Sequence, residues 1–292
     1  MFKKFPKNSF DSETVKKYLI SLLSLYIIWT ILYSPFILHG ILAEKKGILL
    51  GCLIAMRNFF LTGSYTHLWY LNATLIAVVL VCLLLKRNIS INNILLVALG
   101  FFLIGLLGQT YFGLLIPLKE CYLWSVLKTV RVVIGTTRNA LFVGFFFIAM
   151  GIFFAWNEKS LTKGFNSFVV PLLSVCLLLC EGLLVKAYGH PLEWNSYLCQ
   201  PIAVFFIFRY AIDSRKKWAI SDKTGKWMRD IVEIVFLLHI MIRKVADFFI
   251  PRFLPFLVDT SFRYIVVCIV SFVAGAFIIY LSKKIKFLKR LI

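Results

Sequence analysis

Charge is scarce in this chain, and acidic charge most of all. Only 13 of the 292 residues are aspartate or glutamate, and charged residues of both signs make up 16%, where a soluble domain carries about 25%. Mean hydropathy is high, at +0.88. So little charge cannot cover a water-facing surface around many apolar runs, which excludes a soluble globular fold. No stretch reads as a soluble domain appended to those runs. Catalytic signatures are missing too. The chain has no Gly-rich phosphate loop, no HExxH metal motif and no GxSxG nucleophile elbow, so ATP-driven transport and zinc proteolysis have no support. No ladder of arginines at every third position marks a voltage sensor. A repeat of fixed period and low-complexity tracts are also absent.

The seven cysteines lie mostly inside apolar runs. Cys176 and Cys180 stand one helical turn apart, but no second pair of thiols or imidazoles nearby completes a tetrahedral zinc set. They are expected to be buried thiols that pack as small hydrophobes. Neither a metal site nor a disulfide framework is implied.

What the chain has in abundance is apolar surface, 61% of its residues, and basic charge, with 33 Lys and Arg and a formal net charge of +20. Net charge alone would suggest nucleic acid. The cations, however, fall in short runs between and beside apolar stretches, as on the cytoplasmic side of membrane proteins. No soluble basic domain carries them, so no nucleic-acid partner is expected. The partner is the lipid bilayer.

A membrane-crossing helix needs about 20 largely apolar residues. That measure predicts an all-α, polytopic transmembrane bundle of about eight spans, near 18–40, 67–85, 92–117, 139–156, 167–187, 196–212, 231–249 and 263–282. Residues 47–63 and 121–135 are apolar enough for re-entrant or interfacial helices. The whole chain, 1–292, reads as one transmembrane domain with a basic tail over about 1–17. An even number of spans puts both termini on one side. With both in the cytoplasm, about 20 of the 33 cations fall inside, as the positive-inside bias requires. The expected location is multi-pass in the cell (cytoplasmic) membrane. Trp29, Trp69, Trp156, Trp194, Trp218 and Trp227 lie at or near span ends, as an interfacial belt requires, and Trp29 fits that pattern worst.

Ionisable groups inside apolar spans cost a few kcal/mol each on insertion scales, so they are functional candidates. Four stand out. His67 opens the second span, either as an interfacial residue among belt aromatics or as a substrate-facing, proton-handling imidazole. Arg138 opens the fourth, either snorkelling to headgroups or binding an anion with its planar fork. Glu181 lies in the outer part of the fifth and needs a partner or a proton; the structural alternative is an ion pair with Arg138 or Lys186. His239 lies near the middle of the seventh, where depth favours function. Three of the four fall in the outer half, which predicts a polar cavity opening outward.

The segment His67-Leu68-Trp69-Tyr70-Leu71 resembles the His-Leu-Trp-Phe/Tyr signature of the acyltransferase family 3 integral membrane proteins. Phe102-Leu103-Ile104-Gly105 through Gly113 is similar to that family's next span and its Gly-rich outer turn. Thr137-Arg138-Asn139-Ala140-Leu141-Phe142, followed by Gly144 and Gly151, resembles its Arg-x-Gly-hydrophobic-Phe segment. Glu181 matches an in-membrane glutamate frequent in related chains. Leu237-Leu238-His239 resembles the late Tyr-hydrophobic-His-Pro segment. Within the superfamily the pattern is similar to the membrane domain of vancomycin-resistance-type serine racemases. The resemblance covers about residues 14–285.

That resemblance implies a ten-helix bundle moving an acyl group, usually acetyl, from a cytoplasmic acyl-CoA donor to a hydroxyl of a cell-envelope sugar or another small-molecule acceptor. No cofactor or metal stays bound. His67 and His239 become candidate catalytic bases, and Trp69, Arg138, Asn139 and Glu181 candidate substrate-binding residues. Two departures accompany it. The family begins with two further helices, the first holding an arginine and the histidine held to be catalytic, and the match here starts at the third, with Lys16-Lys17-Tyr18 as its basic lead-in. Ile240 stands where the family favours Pro, and the arginine pair before the third helix is reduced to Lys16 and Lys17. The alternatives are a carrier for a small polar solute such as an amino acid, and a catalytically inactive remnant.

Overall fold

In a computed structural model the described residues are 11–43, 47–162, 167–218, 221–253, 261–285 and 288–291. They form helices and connecting turns, with no strand among them. In chain order the α-helices are α1 (Ser12–Ala43), α2 (Ile48–Leu61), α3 (Trp69–Lys86), α4 (Ile91–Leu107), α5 (Tyr122–Ile134), α6 (Phe145–Thr162), α7 (Val169–Tyr188), α8 (Gln200–Trp218), α9 (Asp222–Phe253) and α10 (Ser261–Ser282). A 3-10 segment, Phe112–Glu120, follows α4, and a π turn, Ala140–Gly144, leads into α6. The basic tail before Asp11 lies outside the described residues.

Local chemistry sets several of the ends. Asp11 starts α1: its carboxylate accepts from the amides of Glu13 and Thr14, at 3.1 and 3.0 Å, and from the Thr14 hydroxyl. The Thr14 hydroxyl first, and then those two amides, hold the Asp11 carboxyl below its ordinary range. Ser90 caps α4 through the amide of Asn93, at 3.3 Å, as N-cap serines do. Between α3 and α4 the chain reverses at Asn88, whose φ of 59° is a left-handed conformation that asparagine tolerates.

Every predicted span appears as a helix, but not every helix is apolar enough to cross a membrane. Among the described residues five are, over Ser12–Ala43, Trp69–Lys86, Ala140–Leu161, Val169–Tyr188 and Arg263–Ser282. A sixth arises if α4 and the 3-10 segment, bent by 67°, count as one broken span. α8 and α9 account for the difference from eight. Arg209, Asp213 and Arg215 interrupt one; Glu233, Arg243, Lys244 and Asp247 interrupt the other. α2, with 14 residues, is about 21 Å long at 1.5 Å per residue, too short for a hydrocarbon layer of about 30 Å.

Two apolar cores organise the bundle. In the first, Leu25, Trp29 and Tyr33 of α1 meet Leu71 of α3 and Ile231, Ile234 and Leu237 of α9. In the second, Val81 of α3, Ile94 and Phe102 of α4, and Phe145 and Ala149 of α6 pack together. Trp29 is therefore no belt residue: it is buried, and its indole N–H donates to the Leu291 carbonyl at 3.4 Å. The cysteines also differ from expectation. Cys82 is buried, whereas Cys176 and Cys180 are exposed on α7, because that helix buries little of its surface and turns leucines such as Leu173 and Leu183 outward. In a membrane such side chains face lipid, where no hydrophobic gain comes from burying them in protein.

Gly144, at the end of the π turn, packs closely against α3. A Cβ there would stand 2.9 Å from the Ala73 carbonyl oxygen. Replacing Gly144 by Leu is expected to push α6 off α3 and cost about 1–3 kcal/mol. The check is thermal unfolding in detergent; an unchanged midpoint would contradict this packing.

Candidate functional site

The turn between α2 and α3 places the first site residue. Gly63, at φ +91°, lets the chain fold back so tightly that a Cβ there would fall 2.4 Å from the Trp69 Cα. The Ser64 amide donates to the Tyr26 hydroxyl at 2.9 Å, and that hydroxyl donates to the Phe59 carbonyl at 2.8 Å. Asn72 donates to the same carbonyl at 2.8 Å. α1 and α3 thus clamp the turn, and His67 enters the core at 5% exposure.

There His67 meets α9. Its Nε2 lies 3.1 Å from the Leu237 carbonyl oxygen. A carbonyl only accepts, so Nε2 carries the proton and Nδ1 keeps a lone pair. That Nδ1 is buried with no hydrogen-bond partner among the described residues. The same carbonyl accepts from the Tyr33 hydroxyl at 2.8 Å, and that hydroxyl accepts from the Met241 amide at 3.1 Å. Tyr33 therefore bridges the acceptor and donor of one turn of α9. His239 sits within that turn. Its Nδ1 lies 2.6 Å from the Phe236 carbonyl, which leaves Nε2 as its free nitrogen by the same reasoning. The two imidazole centroids are 5.7 Å apart, with the rings of Tyr33, Tyr65 and Phe236 around His67. The two sequence-predicted bases are brought together.

Arg138 belongs to a second group at the same end of α3. Its guanidinium lies 5.6 Å from the Trp69 ring centroid, donates to Asn195 Oδ1 at 3.2 Å, and stands 3.8 Å from a Glu193 carboxylate oxygen. Asn139 is a cap: Oδ1 accepts from the amides of Leu141 and Phe142, at 3.0 and 3.2 Å, and Nδ2 donates to the Thr136 carbonyl. It fixes the start of the π turn and so the direction of Arg138.

Glu181 pairs with neither Arg138 nor Lys186. Its carboxylate accepts from the amides of Leu198 and Cys199, at 2.6 and 2.7 Å, and from the Tyr111 hydroxyl. It anchors the loop before α8 to the end of α4. The same loop is held by Thr110, whose hydroxyl donates to the carbonyl of Ser196, and by the Leu192 amide on the Gln109 carbonyl. This carries Glu193 and Asn195 to Arg138. Glu193 is the acidic partner that sequence reasoning missed, because it lies in a polar loop.

A cavity of about 480 Å³ opens beside these groups, walled by α1 from Phe36 to Ile41, by α2, by the turn 62–66 and by Gly135, Thr136 and Arg138. It contains a cation the sequence reading passed over, Arg57, in the apolar stretch 47–63. The guanidinium donates to the Val132 carbonyl at 2.6 Å and to Asn58 Oδ1 at 2.8 and 3.2 Å. Among the described residues no carboxylate pairs with it. A groove of about 300 Å³ lies between the other ends of α1 and α3 and is apolar apart from Ser12, Lys16 and Lys86. Among the described residues no group of three His, Cys, Asp or Glu has the arrangement of a metal site.

The model of an acyltransferase domain matches residues 2–281. The chain is 24% identical over 288 residues to an amino-acid racemase of Enterococcus faecalis, covering 96% of this chain and 38% of the relative. It is 24% identical over 284 residues to a serine/alanine racemase of Enterococcus gallinarum, covering 95% and 38%. The chain thus spans 38% of the length of the curated relatives it matches. No solved structure matches it. With a match over nearly its whole length, and with the helical bundle and membrane spans described above, the chain belongs to the acyltransferase family 3 membrane proteins.

Proposed function

We propose that this chain transfers an acyl group, acetyl in the simplest case, from acyl-CoA to a hydroxyl of a cell-envelope sugar or similar acceptor. The observation that carries this reading is His67: a buried imidazole held by a backbone carbonyl through Nε2, with Nδ1 unpartnered among the described residues. A base in acyl transfer needs that arrangement, a fixed ring with one free nitrogen. In the step, Nδ1 takes the acceptor's hydroxyl proton while the oxygen forms a bond to the thioester carbonyl carbon. The carbon–sulfur bond then breaks, and the proton passes to the departing CoA thiolate. The products are the ester and free CoA, and no cofactor stays bound. His239, 5.7 Å away centroid to centroid, is the second proton carrier.

The acceptor lies in the cavity beside Arg57 and Arg138. Trp69 and Arg138 offer a flat face and a forked donor to a sugar, while Asn139 and Glu181 position them. The cavity end faces outward, and both termini lie in the cytoplasm of a cell whose membrane the bundle spans. The groove carrying Lys16 and Lys86 is then on the donor's side, where cations suit the phosphates of CoA.

A second reading is a carrier for an amino acid. It draws on the racemase names of the two relatives and on Arg57, a cation suited to a carboxylate.

In proteoliposomes supplied with labelled acetyl-CoA and cell-envelope glycans, His67→Gln is expected to lower acyl transfer at least about 100-fold, the usual contribution of a positioned base. Folding is followed by size-exclusion chromatography, and full transfer by folded His67→Gln protein would sink the base assignment. Labelled serine or alanine is expected to stay outside the same vesicles when no acyl donor is present. Saturable accumulation there would establish the carrier and remove the transferase reading.

A further inference from the structure

The polar cavity does not stand alone. A second cavity of about 310 Å³ lies between the end of α4, the 3-10 segment and α5, with Leu107, Phe112, Leu115, Ile134 and Phe142 in its walls. Its size is within the range of small-molecule pockets, about 300–1,000 Å³. Its chemistry is the reverse of its neighbour's, since Arg131 is the one charged residue among its described lining residues. Gly135 and Thr136 line both cavities, so they are the two sides of one short wall.

That wall is built around Arg57. Gly135 has φ +83°, and a Cβ on it would come within 3.1 Å of Arg57 Nη2. Only glycine lets the backbone pass beside the guanidinium in this conformation. Arg57 Nη1 also holds the Val132 carbonyl in the last turn of α5, the helix that closes the apolar side. The cation therefore stands at the junction, with no carboxylate among the described residues to neutralise it. A charge held beside apolar spans without a counter-ion is costly, and an arriving anion relieves that cost through charge-assisted hydrogen bonds.

We propose that the acceptor is a lipid-linked sugar phosphate: its phosphate on Arg57 in the polar cavity, its hydrocarbon chain in the apolar cavity beyond Gly135, and its sugar hydroxyls toward Arg138 and Trp69. This rests on the transferase reading for the word acceptor, but the binding it asserts does not depend on turnover. An uncharged glycoside would leave the Arg57 charge without a counter-ion among the described residues, and a water-soluble sugar phosphate would leave the apolar cavity empty.

The test is equilibrium binding to the full chain in a mild detergent, read by native mass spectrometry, without acyl donor. The probes are farnesyl phosphoglucose, glucose 1-phosphate, farnesyl glucoside and phosphatidylglycerol. Farnesyl phosphoglucose is expected to bind at least tenfold more tightly than each of the others. Arg57→Gln is expected to weaken it about tenfold or more, as loss of a charge-assisted hydrogen bond does, and Arg57→Lys to weaken it less. Ile134→Trp, which fills the apolar cavity, is expected to weaken farnesyl phosphoglucose and leave glucose 1-phosphate unchanged. Equal binding of all four probes, unaltered binding by folded Arg57→Gln protein, or phosphatidylglycerol binding as tightly as the sugar lipid overturns the proposal. Binding as expected without acyl transfer would reject the transferase and keep this site. Acyl transfer to free sugars without binding of the lipid probe would do the reverse.

Discussion

One carbonyl, that of Leu237, holds the centre of this bundle together. It accepts from the Tyr33 hydroxyl of α1 and from His67 Nε2 at the start of α3, at 2.8 and 3.1 Å. Three helices distant in sequence are joined at one buried oxygen. Buried polar groups are costly without partners and strong with them, so the contact selects a single register between α1, α3 and α9. It also decides the proton position on His67. A carbonyl cannot donate, which leaves Nδ1 as the ring's free nitrogen. The group that stabilises the fold thereby defines the chemistry available in it.

The polar residues near the cavity divide their work in the same way. Asn139 and Glu181 spend their hydrogen bonds on backbone amides, one aiming the start of α6 and the other tying the 189–199 loop to α4. That loop then brings Glu193 and Asn195 to Arg138. Arg138 is thus compensated, while among the described residues Arg57 is held by a carbonyl and an amide side chain. The two arginines on this cavity differ because, among the described residues, one has a counter-ion and the other has none.

The helical class, the membrane environment and the family were legible in the chain because they depend on quantities that add along it. Apolar run length sets helix length against bilayer thickness, and the His-Leu-Trp and Thr-Arg-Asn segments are contiguous. His67, Arg138, Glu181 and His239 stood out because an ionisable group in an apolar run is conspicuous by its cost. α8 and α9 read as spans from their apolar runs, but the charges that interrupt them, such as Arg209 and Arg243, make them less apolar than the other five. Trp29 and the α7 cysteines depart from expectation for a related reason, since hydropathy is blind to which face of a helix meets protein and which meets lipid.

Arg57 does not stand out in the sequence because it lies in a stretch too short for a span, and its partner outside α2, Val132, comes from a distant helix, 75 residues away. Composition and the length of the apolar runs by themselves determined that this protein is a membrane-embedded helical bundle, and its motifs determined the family. Only the tertiary structure decided that His67 meets His239, that Glu181 serves the α8 loop and not Arg138, and that Arg57 faces a cavity with no carboxylate among its described lining residues. The reason is physical. Burial in lipid is a property of each segment, whereas partnership is a property of pairs, and long-range pairs are set by how the helices pack.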